Sequence, residues 1–279
     1  MGSEEPFESK VAGRVYTDAF QTDHAQVIVG FTTRDKGYSD GPFNRFNLGL
    51  HVGDEPETVI KNRELLGADL KFPLDNWVLG EQIHANQICR VDSSDRGKGA
   101  RDLSSALAGI DGLYTTEPNL LLVACYADCV PVFFLAPDGK AVGIAHAGWR
   151  GTVGEIAGRM IQKWENDLQL SASDIQVLIG PSIGDCCYEV DMRVASEIEK
   201  LEGINKDGLL KPTDNGHFQL NLQLTNKRIL EKYGVPSSNI NISSYCTSCR
   251  TDRFYSHRKE NGKTGRMLGY IGILEEQKR

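Results

Sequence analysis

Short apolar runs and helix-spaced apolar positions alternate irregularly along this chain. Residues 27–32 (Val-Ile-Val-Gly-Phe-Thr) predict a strand, ended by a loop rich in Gly, Asp, Ser and Pro through Pro42. Asp54-Glu-Pro-Glu-Thr58 predicts a helix start, its acidic side chains set against the positive end of the helix dipole. Val59, Leu65 and Leu66 give that helix its apolar face. Gly80-Glu-Gln-Ile-His-Ala-Asn86 predicts a second strand, with Gln82 and His84 on one face. The stretch 119–135 is apolar apart from Asp128 and a proline, Pro131, and predicts two buried strands or one bulged strand. After the Pro137-Asp138-Gly139 turn, Lys140–His146 predicts another strand, and Ala147-Gly-Trp-Arg-Gly151 a short loop. Val153, Ile156, Ala157, Met160, Ile161, Trp164 and Leu168 then recur at helical spacing. Strands over 175–180 and 239–245 and a helix over 218–233 complete the pattern. Because the elements do not alternate strictly, the fold class is α/β in its mixed or α+β form, not a simple doubly wound sheet.

Composition narrows the picture. The chain has 279 residues with a net charge of −7, no internal repeat and no Pro/Ser-rich linker. One continuous domain over 1–279 is therefore expected, residues 1–20 being a loosely ordered N-terminal segment. No apolar run reaches the roughly 18 residues of a membrane span, and the acidic start is unlike a signal peptide, so a cytoplasmic protein without a membrane partner is expected. The acidic balance excludes a nucleic-acid scaffold while leaving room for a local basic pocket. Seven cysteines, an odd number, without an export signal argue against a disulfide framework.

The chemistry then rests on few residues, because the chain holds only six histidines. His84, Cys129 and His146 offer two imidazoles and a thiolate, a donor set suited to Zn²⁺ with a fourth position open. Cys125 would close that site if residues four apart share a strand face; the alternative is that all are separate core residues. Asp128, a carboxylate inside an apolar run, either bonds to backbone or has a catalytic role, and Gln82 could orient a water. Arg150, beside a helix start, reads as an anion clamp or as a surface arginine stacked on Trp149. His257, Arg258 and Arg266 form a basic cluster, either a second anion contact or a solvated turn. Cys246-Thr-Ser-Cys249 is a lone C-x-x-C pair. Adjacent Cys186 and Cys187 would face opposite ways in a strand, so these four cysteines and Cys89 are expected to be structural.

Ala127-Asp-Cys129, His146-Ala-Gly-Trp-Arg-Gly151, Gly180-Pro-Ser-Ile-Gly184 with Cys187-Tyr-Glu-Val190, and Phe254-Tyr-Ser-His-Arg258 together resemble the YfiH/YlmD family. Asn47-Leu-Gly-Leu-His-Val-Gly-Asp54 and Asn62-Arg63 match its N-terminal pattern, and the detail is closest to the YlmD branch. Members of the family have been described as purine nucleoside phosphorylases, polyphenol oxidases and peptidoglycan editing factors. The resemblance implies a layered α/β sandwich with mixed sheets, similar to a bacterial toxin deamidase domain. It implies zinc on His84, Cys129 and His146, with copper as the alternative metal. It also implies phosphorolysis of adenosine, inosine, guanosine and S-methyl-5′-thioadenosine, with deamination of adenosine. Asp128 and Gln82 are then candidates for proton handling, and Arg150, Arg258, His257, Asn47 and Arg63 for phosphate. The partners implied are small molecules, with no obligate protein partner. Other readings are a Cys–His hydrolase editing L-Ser-containing UDP-MurNAc and a copper polyphenol oxidase. Six histidines are too few for a four-copper oxidase, and none of Met1, Met160, Met192 and Met267 is placed by sequence as an axial ligand.

Overall fold

The computed structural model describes residues 5–17 and 26–274. Two six-stranded mixed sheets lie face to face. The first runs in the order β1 (Glu8–Val11), β2 (Arg14–Tyr16), β3 (Gln26–Thr32), β15 (Met267–Leu274), β7 (Leu121–Tyr126), β4 (Trp77–Leu79). The second runs β14 (Ile240–Ile242), β10 (Gln176–Ile179), β8 (Val130–Leu135), β9 (Val142–Ala147), β6 (Gly112–Thr115), β5 (Ile88–Arg90). A small sheet of β11 (Glu189–Val190), β13 (Phe218–Leu220) and β12 (Leu210–Pro212) completes the strands.

The alternation of side chains explains why 121–135 reads as nearly continuous apolar sequence. In β7, Leu122, Ala124 and Tyr126 meet Phe133 and Ile144 of the second sheet, while Leu121, Val123 and Cys125 face helix α1 (Pro56–Leu70). In β8, Val130, Val132 and Phe134 instead pack on the helices α3 (Ile156–Leu168) and α5 (Leu222–Lys232). Both faces of both strands are buried, so neither shows polar alternation. The layers are thus α1, sheet, sheet and helices, a layered mixed α/β sandwich as the sequence predicts. Each fully buried Leu, Val or Phe contributes roughly 1.5–3 kcal/mol of burial.

The expected strands over 27–32, 140–146, 175–180 and 239–245 all form, with the bounds given above. The two-strand reading of 119–135 holds, and β7 and β8 belong to different sheets. Three expectations change. Residues 80–86 are not a strand: the chain leaves β4 into a loop where Gln82 (φ 59°) and His84 (φ 63°) are left-handed. The 218–233 helix begins only at Leu222, capped by the Asn221 side chain on the Leu224 N–H, because 218–220 pair as β13. The helix after Gly151 is split into α2 (Trp149–Val153) and α3 by left-handed Glu155 (φ 56°). Of residues 1–20, those at 1–4 and 18–20 lie outside the described residues, and β1 and β2 form within the rest.

Candidate metal centre

Three elements bring the centre together where the two sheets meet. His146 sits near the end of β9, on the face that Val142 and Ile144 turn toward the first sheet. Cys129 lies on the short corner by which the chain passes from β7 to β8, and left-handed Asp128 (φ 85°) makes that corner possible. His84 comes from the loop after β4. The donor atoms of His84, Cys129 and His146 all lie within 4.8 Å of one another, and the two imidazoles meet edge to face at 4.8 Å between centroids.

Asp111 organises this centre, and the sequence reading missed it. Its Oδ1 accepts from His146 Nδ1 at 2.8 Å and from the His84 backbone N–H at 3.1 Å, while its Oδ2 accepts from the Ala85 N–H at 2.8 Å. One carboxylate therefore fixes the His146 tautomer and the loop that carries His84, leaving His146 Nε2 to face inward. The signal was present: Asp111 is buried at the entry to an apolar strand, the same burial argument that drew attention to Asp128. Glycine supplies the space. A Cβ on Gly148 would lie 3.0 Å from Cys129 Sγ and 3.2 Å from His84 Cδ2.

Burial pushes the Cys129 thiol up, but the His146 and His84 rings against it outweigh that and bring it down to about 6. Burial likewise pushes His146 down, and the Cys129 sulfur with the Asp111 carboxylate reverses it, to about 9. Together the two directions describe a thiolate paired with an imidazolium, in which the sulfur already has its metal-binding form and His146 Nε2 gives up its proton when a metal takes its place. Two nitrogens and a thiolate in this cradle fit a zinc-type ion with one coordination position left over. Cys125 does not close the set. The 127–129 corner breaks strand parity, and Cys125 faces buried Arg63 instead.

The centre opens into a cavity of about 990 Å³. Its walls include Gln82, Asp128, His257, Arg258 and Arg266, together with His51, to which the sequence reading gave no role. Gln82 is committed on both sides of its amide: Nε2 donates to the Cys125 carbonyl at 2.9 Å and Oε1 accepts from the Cys125 N–H at 2.7 Å. Asp128 is likewise committed, accepting from Thr247 Oγ1 and from the Arg258 N–H, each at 2.7 Å. Burial, then the Arg266 charge, holds both His51 and His257 below the usual imidazole range, so neutral rings face the cavity at neutral pH. The rim carries Ile83 and Leu103, two of the few large apolar side chains left exposed among the described residues.

Three expected anion ligands stand elsewhere. Arg150 is exposed on α2, its guanidinium 4.5 Å over the Trp149 ring, outside the cavity wall. Arg63 is buried and donates to the carbonyls of Leu48, Gly99 and Ala100. Asn47 is buried too; its amide donates to Asp54 and its Oδ1 accepts the N–H groups of Gly49 and Arg266. Neither Arg63 nor Asn47 lines the cavity wall, and Asn47 instead anchors the backbone of Arg266.

Residues 28–274 match the family model described as multi-copper polyphenol oxidoreductase laccase. The chain is 47 % identical over 252 residues to purine nucleoside phosphorylase YlmD of Geobacillus stearothermophilus, covering 90 % of this chain and 92 % of that protein. It is 43 % identical over 253 residues to the purine nucleoside phosphorylase YlmD of Bacillus subtilis, covering 91 % of each. The crystal structure of YlmD from Geobacillus stearothermophilus superposes with a TM-score of 0.93 at 44 % identity, over 98 % of this chain and 100 % of that one. Fold and sequence converge: the chain belongs to the YfiH/YlmD family.

Proposed function

We propose that this chain is a zinc-dependent purine nucleoside phosphorylase, acting on adenosine, inosine, guanosine and S-methyl-5′-thioadenosine. The observation that carries the reading is a three-donor His/Cys/His centre at the wall of a large cavity that also presents Arg258 and Arg266. The relatives named as purine nucleoside phosphorylases support it. When bound, zinc supplies a Lewis acid with one position open to a ligand.

The chain's own residues divide the remaining work. Arg258, already a phosphate candidate from the sequence, binds phosphate together with Arg266, in place of Arg150, Asn47 and Arg63. Each charge-assisted contact contributes about 1.5–3 kcal/mol. Ile83 and Leu103 offer an apolar edge for the purine ring. As a phosphate oxygen bonds to the ribose C1′, the C1′–N9 bond breaks and its electron pair leaves with the purine. The neutral imidazoles of His51 and His257 hydrogen-bond that leaving base. Asp128 and Gln82 act as positioning residues, since their polar atoms are held by the protein. Deamination of adenosine to inosine belongs to the same proposal, with His51 and His257 rather than Asp128 and Gln82 moving the proton.

Zinc is preferred to copper, because none of the described methionines lines the cavity as an axial ligand: Met267 Sδ accepts the Tyr255 N–H, Met160 is in the helix-side core and Met192 is exposed. All seven cysteines are unpaired, which suits the reducing cytoplasm. Incubation of the zinc-loaded protein with inosine, with and without phosphate, tests the reading. It requires hypoxanthine and ribose 1-phosphate in equal amounts only when phosphate is present; hypoxanthine released at the same rate without phosphate would refute it.

One observation favours a second reading. Cys129, His146 and Asp111 also stand in the order nucleophile, base and orienting carboxylate of a cysteine hydrolase. That arrangement would suit editing of L-Ser-containing cell-wall precursors. A thioester on Cys129, trapped after full chelation of metal, would favour it over phosphorolysis.

A further inference from the structure

A second thiol cluster lies beside the cavity, outside the centre described above. Sγ atoms of Cys186, Cys187, Cys246 and Cys249 all lie within 4.8 Å of one another. Cys249 is 3.4 Å from Cys187 and 3.5 Å from Cys186, sulfur to sulfur. Neighbouring Cys186 and Cys187 converge because Asp185–Cys187 is a turn, closed by the Cys187 N–H on the Gly184 carbonyl at 3.0 Å; strand pleating begins only at β11. This corrects the expectation that the two thiols face opposite ways.

We propose that these four cysteines form a structural zinc site that clamps the cavity wall. Four sulfurs around a metal at about 2.3 Å stand about 3.8 Å apart in a tetrahedron, a spacing within the range seen here. Two backbone N–H groups, from Gly184 at 3.2 Å and Cys249 at 3.4 Å, point at Cys246 Sγ. Backbone N–H groups aimed at a cysteine sulfur are the outer contacts that orient a metal-binding sulfur. Gly184 leaves the room: a Cβ there would lie 3.2 Å from Cys186 Sγ and 3.5 Å from Cys246 Sγ. An all-sulfur donor set selects a soft or borderline cation and, with four protein ligands, leaves it no open position. On binding, each cysteine that is still a thiol loses its S–H proton to solvent as its sulfur–metal bond forms, and no oxidant is needed.

The clamp has a purpose in the fold. One loop, 182–188, supplies Ile183 and Tyr188 to the cavity wall; the other, 246–258, supplies His257 and Arg258. The Thr247 N–H to Ser182 carbonyl bond at 2.9 Å joins them directly, and Asp128 holds both: its carbonyl accepts the Ile183 N–H at 2.9 Å and its carboxylate accepts from Thr247 Oγ1 and the Arg258 N–H. A metal on both loops would fix Arg258 relative to the His84 centre.

Elemental analysis after reconstitution with zinc under reductant tests this. The wild-type chain binds two zinc ions, Cys249→Ser one, and Cys129→Ser one. The Cys129→Ser chain keeps the cluster intact, so cobalt bound to it gives the intense visible spectrum of a tetrathiolate even if Cys249→Ser folds poorly. One zinc per wild-type chain, absent only in Cys129→Ser, would overturn the proposal. So would a reduced mass lighter by two hydrogens, with Cys249 in a disulfide and no second metal.

Discussion

The two thiol-bearing clusters are tied to one corner of the chain, at Asp128 and Cys129, and differ in almost every respect. The His84–Cys129–His146 centre mixes nitrogen and sulfur, draws one donor from each of three distant segments, and is oriented by the Asp111 carboxylate. The four-cysteine cluster is all sulfur, comes from two neighbouring loops, and is oriented by backbone N–H groups. A centre with three protein donors, set on a cavity, leaves room for a ligand; a centre with four is closed. Asp128 links them, lying next to Cys129 in sequence while holding Thr247 and Arg258 in the loop of the second cluster. The comparison teaches that donor count and approach, more than the presence of cysteine, separate a reactive centre from a structural one.

The strongest way to break this contrast is to remove a donor from the open centre. Cys129→Ala should lower phosphorolysis by about 1,000-fold or more, several kcal/mol of lost transition-state stabilisation, in a steady-state assay with inosine. The fold should survive, since the core on both sides of the corner is apolar and remains in place. Asp111→Asn should weaken zinc affinity by about 10–100-fold, read by competition with a chelator, while the four-cysteine cluster keeps its metal. Arg258→Gln and Arg266→Gln should each reduce kcat/KM for phosphate by roughly 10–100-fold, mostly through KM for Arg258, whose guanidinium is exposed at the wall. Arg150→Ala should change the same constant by less than about 3-fold, because what it loses is a surface cation–π contact. A larger loss at Arg150 than at Arg258 would move the anion site onto α2.

How much of this was legible in the sequence depended on whether the signal was local. The strands at 27–32 and 140–146 and helix α1 were readable because their apolar periodicity and turn residues lie within one window. The ligand set His84, Cys129 and His146 was readable as chemistry, but its convergence came only from the family resemblance, since spacing cannot show that three segments meet. The loop at 80–86 was misread as a strand because Gln82 and His84 sit left-handed, held by Cys125 and Asp111, and both partners are remote in sequence. That Arg63 stands away from the cavity wall was hidden for a similar reason. Its neighbours Leu48, Gly99 and Ala100 are supplied by other loops, and their carbonyls take its Nε and Nη1 and hold it in the interior. The four-cysteine cluster escaped because adjacent cysteines were judged by strand geometry, whereas a turn places them.

The claim on which the account depends is that catalysis requires the open centre and phosphate together. The direct measurement is phosphate-dependent formation of ribose 1-phosphate from inosine by chelated protein, followed by addition of one zinc equivalent beyond that held by the cysteine cluster. The account predicts that activity is lost on chelation, returns with zinc in the wild-type chain, and does not return in His146→Ala. Full phosphorolysis by the His146→Ala chain, or by wild-type protein whose open centre holds no metal, would contradict it.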